Sequence, residues 1–128
     1  MQADYLILAD AVAMANNKQY IHGAGWDRIT ASSYPSIIAF GVAARLAVTE
    51  AEQLGQLRIE LDVVDAGGTS ILPDSPGRLR GSIERVAAND IPADELQHMP
   101  LAFMFNGVPC PAAGRYAAVL RVSDVVIA

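Results

Sequence analysis

The sequence holds little of what small proteins use for chemistry or for covalent bracing. Its single cysteine, Cys110, cannot form an internal disulfide, which fits a reducing compartment. Cys110 stands between Pro109 and Pro111 with no base beside it in the chain, so it reads as an inert, partly buried thiol. The two histidines, His22 and His98, lie far apart, and neither has a second histidine or a cysteine nearby. That excludes the ligand spacing of a zinc site. No serine stands in a nucleophile elbow. Charged residues make up only 18% of the chain against 52% hydrophobic ones, which excludes intrinsic disorder.

Basic charge is scarce as well. Nine Lys and Arg face fourteen Asp and Glu, for a net charge of −5. The nearest approach to a basic cluster is Arg78, Arg80 and Arg85. Binding to nucleic acid or to an anionic membrane needs a concentrated cationic surface, so neither partner is expected. The N-terminus has no basic leader. Its apolar run, flanked by Asp4 and Asp10, is too short and too charged for a signal peptide or a membrane span. A soluble, cytoplasmic protein is expected. The length of 128 residues suits one domain, residues 1–128, able to bury a core without staples. So apolar a chain also predicts a second buried surface such as a self-association interface.

What the sequence has is alternation of apolar and polar positions. Residues 4–14 and 18–25 read as a hairpin around Asn16-Asn17, since asparagine tolerates the positive φ of both central positions of a type I′ turn. That turn sets Val12 opposite Ile21 and Asp10 opposite Gly23. Leu6, Leu8, Asp10, Val12 and Met14 then share one face; Ile7, Ala9, Ala11 and Ala13 share the other with Tyr20 and His22. Residues 37–48 alternate strictly, from Ile38 and Phe40 to Val48, with small residues between. Period two predicts a strand despite the helix-favouring alanines. A short helical turn is expected next, with Thr49 and Glu52 at capping-box spacing. Residues 56–64 predict a strand with Leu57, Ile59, Leu61 and Val63 inward and Arg58, Glu60 and Asp62 outward. Asp65-Ala-Gly67-Gly68 turns the chain, and residues 69–77 read as a loop.

Further strands are expected at 78–87, 101–105 and 116–122, with a surface connection over 88–97 and a corner enforced by Pro109 and Pro111. Residues 125–127 open a last strand, either short or continued beyond Ala128 in the native protein. About eight strands with at most one short helical turn predict an all-β, antiparallel β-sandwich, immunoglobulin-like or jelly-roll-like.

A few residues stand out. Asp10 lies on an otherwise apolar face, where a buried carboxylate must find donors or a cation. It reads as a structural pin that locks the hairpin to the next segment, Gly23 opposite leaving it space, with a buried acid or metal ligand as the functional alternative. Gly23-Ala-Gly25-Trp26-Asp27-Arg28 allows a bulge or close backbone approach, but lacks the spacing and the helix of a dinucleotide fingerprint. Trp26 reads as a core plug or a ligand platform, and Asp27 and Arg28 as a solvated pair. Asp62, Asp65 and Asp74 are a sparse candidate for Ca²⁺. Tyr116, after Gly114-Arg115, fits a tyrosine corner, which is a stability device. No catalytic, cofactor-binding or metal-binding set is assigned.

The order Leu6-Ile-Leu-Ala-Asp10-Ala, Asn17-Lys-Gln-Tyr20-Ile and Gly23-Ala-Gly25-Trp26-Asp27 resembles the opening of a bacterial family of small, all-β proteins of unknown function. Later landmarks are similar too: a strand ending in Asp65-Ala-Gly67 and a Pro-rich step before Gly114-Arg115-Tyr116. Asn17 stands where the family's pattern has a glycine, a change that still suits the turn. The resemblance implies that Asp10, Gly23, Gly25 and Trp26 are structural landmarks, and implies no activity.

Three functions follow as expectations. The first is a non-catalytic β-sandwich module acting through protein contacts or self-association, because flat alanine-lined faces pack closely. The second is a small-ligand or carbohydrate-binding sandwich, which requires at least two of Trp26, Tyr20 and Tyr34 to be exposed on one concave patch and fails if the indole is buried. The third is a metal-dependent hydrolase built on Asp10, His22 and Asp27, which must then meet in a cleft.

Overall fold

The computed structural model describes residues 1–49, 55–72, 79–85, 95–123 and 125–128, with the backbone alone at 55–57 and 79–85. These residues form eight strands: β1 Gln2–Ala15, β2 Lys18–Ala24, β3 Ser36–Thr49, β4 Gly55–Val64, β5 Leu79–Arg85, β6 Leu96–Cys110, β7 Ala117–Val122 and β8 Val125–Val126. They make two antiparallel four-stranded sheets, ordered β2-β1-β3-β6 and β5-β4-β7-β8. The chain is all-β and its architecture is a sandwich, as the alternation predicts. No helix among the described residues is long and apolar enough to cross a membrane. The helical turn expected after Thr49, the proline-rich stretch 73–78 with Asp74, and residues 86–94 lie outside the described residues.

The inner faces form one core. From the first sheet come the even positions of β3, Phe40, Val42, Ala44, Leu46 and Val48; from the second come Ile59, Leu61 and Val63 of β4 with Leu120 and Val122 of β7. Alternation places each of these inward. In β6 a bulge lies between the pairs Phe40↔Phe105 and Ile38↔Val108. The one extra residue lets both Phe105 and Val108 enter the core. The Phe105 ring stacks on Phe40 at 5.2 Å between centroids.

The hairpin has the expected turn and register. Asn16 and Asn17 take φ of 51° and 59°, and Val12 pairs with Ile21 and Ala11 with His22. Its path, however, overturns the expected division of faces. β1 pairs with β3 only as far as Ala9↔Gly41. Beyond that point it passes over the outer face of its own sheet. A Cβ on Gly41 would lie 2.8 Å from Val12 Cγ2 and 3.0 Å from the Val12 backbone nitrogen, so the bare glycine is what admits the crossing. Val12 and Ile21 then cover the row Ile7, Ala43 and Ala102, forming a second small core with Ala9. The even-numbered row is therefore split: Leu6 and Leu8 join the main core, Val12 joins the second, and Asp10 and Met14 are exposed. Gln19 secures the crossing. Its amide donates to the carbonyls of Ala44 and Leu101, both at 2.8 Å, and its oxygen accepts from the Tyr5 hydroxyl.

Next to this second core lies a polar cluster. The register shifts between Ala3 and Tyr5, leaving Asp4 as the extra residue of a bulge. The Asp4 carboxylate accepts from Arg45 Nε at 2.8 Å and meets His98 Nδ1 at 2.7 Å. The Arg45 guanidinium lies 5.6 Å from the centre of the Tyr5 ring. The His98 hydrogen bond, with Arg45 acting in the same direction, holds the Asp4 carboxyl below the usual carboxylate range.

Two further expectations need correction. β6 begins at Leu96 and runs through Pro100 and Pro109, so the corner forms at Pro111 alone, and residues 96 and 97, expected in a surface connection, belong to the strand. β6 lies at the edge of its sheet, where proline's missing N–H is tolerated. Asp62 is on the outward row of β4 but is only 1% exposed. The segment after the turn returns along β4, with Val64 bridged to Ser70 and the Ile71 N–H donating to Val63. Ser70 Oγ thereby donates to Asp62 at 2.6 Å, as does the Val63 N–H at 2.8 Å. Arg121 Nη1 lies 3.9 Å from the same carboxylate, so the buried charge is both hydrogen-bonded and paired.

Candidate functional site: a cavity at one end of the sandwich

The chain leaves β2 through two residues that favour glycine. Gly23 takes φ of +67° and Gly25 of +98°, a region costly to other residues. Gly23 also lies beneath Asp10, whose Oδ2 would be 2.2 Å from a Cβ there. The expected space for Asp10 is thus present, but its carboxylate is exposed rather than buried, because β1 is leaving the sheet at this point. The glycines turn the chain so that residues 26–34 cross the end of the sandwich. There they face the corner between β6 and β7.

Between these two segments lies a cavity of about 710 Å³, within the range of small-molecule sites. Its floor is the open end of the core, with Leu8, Ile38 and Phe40 from one sheet and Val63 and Ala118 from the other. Trp26, Tyr34 and Tyr116 contribute rings to its walls, and Asp27, Arg28 and Arg115 contribute charge. The Trp26 ring packs partly on the main core. Its Nε1 is buried and has no hydrogen-bond partner among the described residues. Tyr34 is 40% exposed. Trp26 and Tyr34 therefore share one concave surface, but only Tyr34 is exposed while Trp26 is half-buried, so the condition of two exposed rings is met in part. The third ring, Tyr20, lies across from Ala13 on the hairpin and outside the cavity lining.

Tyr116 closes the corner. Its hydroxyl donates to the Ala112 carbonyl at 2.5 Å, and the Cys110 thiol donates to the same oxygen at 3.5 Å. Hydrogen bonding to Cys110, then desolvation, push the Tyr116 phenol above its ordinary value. It is thus a neutral donor at physiological pH. Asp27 and Arg28 approach at 3.8 Å, both more than nine-tenths exposed, an arrangement worth little in energy.

The Asp10, His22 and Asp27 constellation proposed from sequence does not assemble, and Asp74 of the Asp62, Asp65 and Asp74 set lies outside the described residues. Asp10 and His22 point to opposite faces of the hairpin, since His22 is across from Ala11 and Asp10 is across from Gly23. Asp27 is at the cavity, paired with Arg28. The Asp65 carboxylate accepts from the Gly67 and Thr69 N–H groups at 3.0 Å, capping its own turn. No group of three or more potential metal ligands occurs among the described residues. Sequence reasoning missed Arg115, Ile38 and Phe40 as parts of one site with Trp26. The Gly114-Arg115-Tyr116 corner was the available signal, but it reads as a fold element until β6 and β7 are brought to the Trp26 loop.

Comparison with curated proteins and with solved structures finds no match. A family profile matches residues 4–128, almost the whole chain. The chain belongs to this family, the family of unknown function DUF6941.

Proposed function

We propose that the protein is a non-catalytic binding module whose site is the end cavity, and that it takes a small organic ligand with a flat apolar portion. One observation carries this reading: Trp26 and Tyr34 line a single cavity whose floor is the open end of the hydrophobic core. A ring entering there stacks on one or both aromatics, each such contact being worth about 1 kcal/mol beyond the area buried. The buried Trp26 Nε1, without an acceptor among the described residues, supports the same reading, because buried donors in native proteins are almost always hydrogen-bonded. The free, buried thiol of Cys110 accords with a cytoplasmic setting.

The chain has a single tryptophan, so its indole N–H gives one unambiguous NMR signal at the site. Titration with 2-naphthalenemethanol, a neutral flat probe, is expected to shift that signal saturably, and Tyr34→Ala to weaken the binding about fivefold. No shift up to about 1 mM probe, where binding would be worth only about −4 kcal/mol, rejects the reading.

Contacts with proteins, including self-association, form the second reading. Part of the small-residue row that motivated it, Gly41 and Ala43, is covered by the molecule's own hairpin, while Ala39 is exposed. Its remaining support is the apolar composition and the exposed apolar side chains Ile37, Leu96, Val125 and Val126, each more than half exposed. Light scattering on a size-exclusion column should then report an assembly that Val126→Lys disperses. A monomer at high concentration rejects it.

A further inference from the structure

The cavity's charge is not that of the whole molecule. The chain carries −5, yet the charged groups lining the cavity are two guanidiniums, Arg28 and Arg115, against one carboxylate, Asp27; the Asp65 carboxylate acts on the Tyr116 phenol from outside the lining, held by its own turn. Arg28 shares its charge with Asp27 at 3.8 Å. Arg115 has no hydrogen-bond or ion-pair partner among the described residues. It sits one residue before Tyr116, which is fixed by its bond to Ala112, so the backbone that presents the guanidinium is held by the corner. Below these groups the cavity is apolar: Leu8, Ile38, Phe40 and Val63.

We infer that the ligand is an anionic amphiphile: a flat apolar body seated between the sheet ends, with a carboxylate or similar anion received by Arg115 and assisted by Arg28. This rests on the end cavity being a ligand site. Its physical basis is that guanidinium donates to a carboxylate in a two-pronged, charge-assisted geometry, while the apolar floor offers an anion no seat of its own. A neutral ligand of the same shape would gain only the floor and the rings. A cationic one would meet an excess of like charge. Both arginines are exposed, so each is expected to contribute about fivefold in affinity, not the orders of magnitude of a buried pair.

The test uses three probes of one shape on the full chain: 2-naphthoate, 2-naphthalenemethanol and 2-naphthylmethylammonium. Binding is read by calorimetry and by the Trp26 indole signal. The expected order is carboxylate, then alcohol, then ammonium, with the carboxylate's advantage shrinking as salt is raised. Arg115→Gln should lower 2-naphthoate affinity about fivefold and leave the alcohol unchanged. Asp27→Asn should act in the opposite sense and tighten 2-naphthoate a few-fold, an outcome that a misfolded variant cannot mimic. Equal binding of carboxylate and alcohol overturns this inference while leaving the cavity a ligand site. So does an Arg115→Gln variant that weakens both alike. Failure of all three probes to bind overturns the ligand site itself.

Discussion

Gly41 has the most consequential missing side chain in the molecule. It lies on the outward row of β3, where a Cβ would meet the Val12 side chain at 2.8 Å and the Val12 nitrogen at 3.0 Å. The side chain could give way, but the backbone could do so only by lifting the hairpin. Gly41→Val is therefore expected to cost about 3 kcal/mol, at the high end for overpacking, and Gly41→Ala less, both measured by urea denaturation. Gly23 is a different case. Its Cβ would meet the end of an exposed, movable Asp10 side chain, so the cost of Gly23→Ala should come from φ of +67° and amount to about 1–2 kcal/mol. Making the same change in an Asp10→Ala background separates the two causes. If the loss disappears there, the close contact was responsible and not the backbone.

At the scale of elements, the polar cluster on the outer face ties three strands together: Asp4 from β1, Arg45 from β3 and His98 from β6. Because the Asp4 carboxyl is held below its ordinary value, its contribution to stability is present above that value. It is lost as the pH falls through the lower, folded one. Asp4→Asn should therefore be less stable than the parent at neutral pH, and the two melting curves should converge below about pH 4. A difference that persists in acid would assign the effect to something other than the carboxylate's charge.

The same elements mark what could be read from the sequence. The Asn16-Asn17 turn, the pairing of Val12 with Ile21 and the inward rows of β3 and β4 follow from local chemistry and period-two alternation, and these were legible. The crossing of the hairpin was not. It depends on Gly41 lying under Val12 and on Gln19 reaching carbonyls of β3 and β6, residues distant in sequence. Asp10 and Asp62 changed places with respect to solvent for the same reason: each sits where the chain leaves, or returns to, a sheet. The cavity was half legible. Trp26 and Tyr34 are recognisable rings, whereas Arg115 joins them only once the two sheets have closed.

For the whole molecule, the crossing hairpin divides the first sheet into parts of unequal stability. In the middle of β3 the strand has neighbours on both sides, β1 and β6, the main core on one face and the hairpin on the other, so Val42, Ala43 and Ala44 are fully buried. The amides there are expected to exchange with solvent only through global unfolding. β2 is an edge strand, its contact with the rest of the sandwich resting on Ile21 and the Gln19 bonds. Its amides should exchange by a smaller, local opening in which the hairpin lifts off the sheet. Gln19→Ala removes the donors to two carbonyls, at an expected cost of about 1–3 kcal/mol. If the hairpin opens as a unit, hydrogen exchange in this variant should quicken throughout β2 and the far half of β1. Exchange in β3 should quicken only to the extent that overall stability falls. Uniform acceleration across both strands would instead mean that hairpin and sheet open together, with Gln19 supporting the whole sandwich and not a detachable flap.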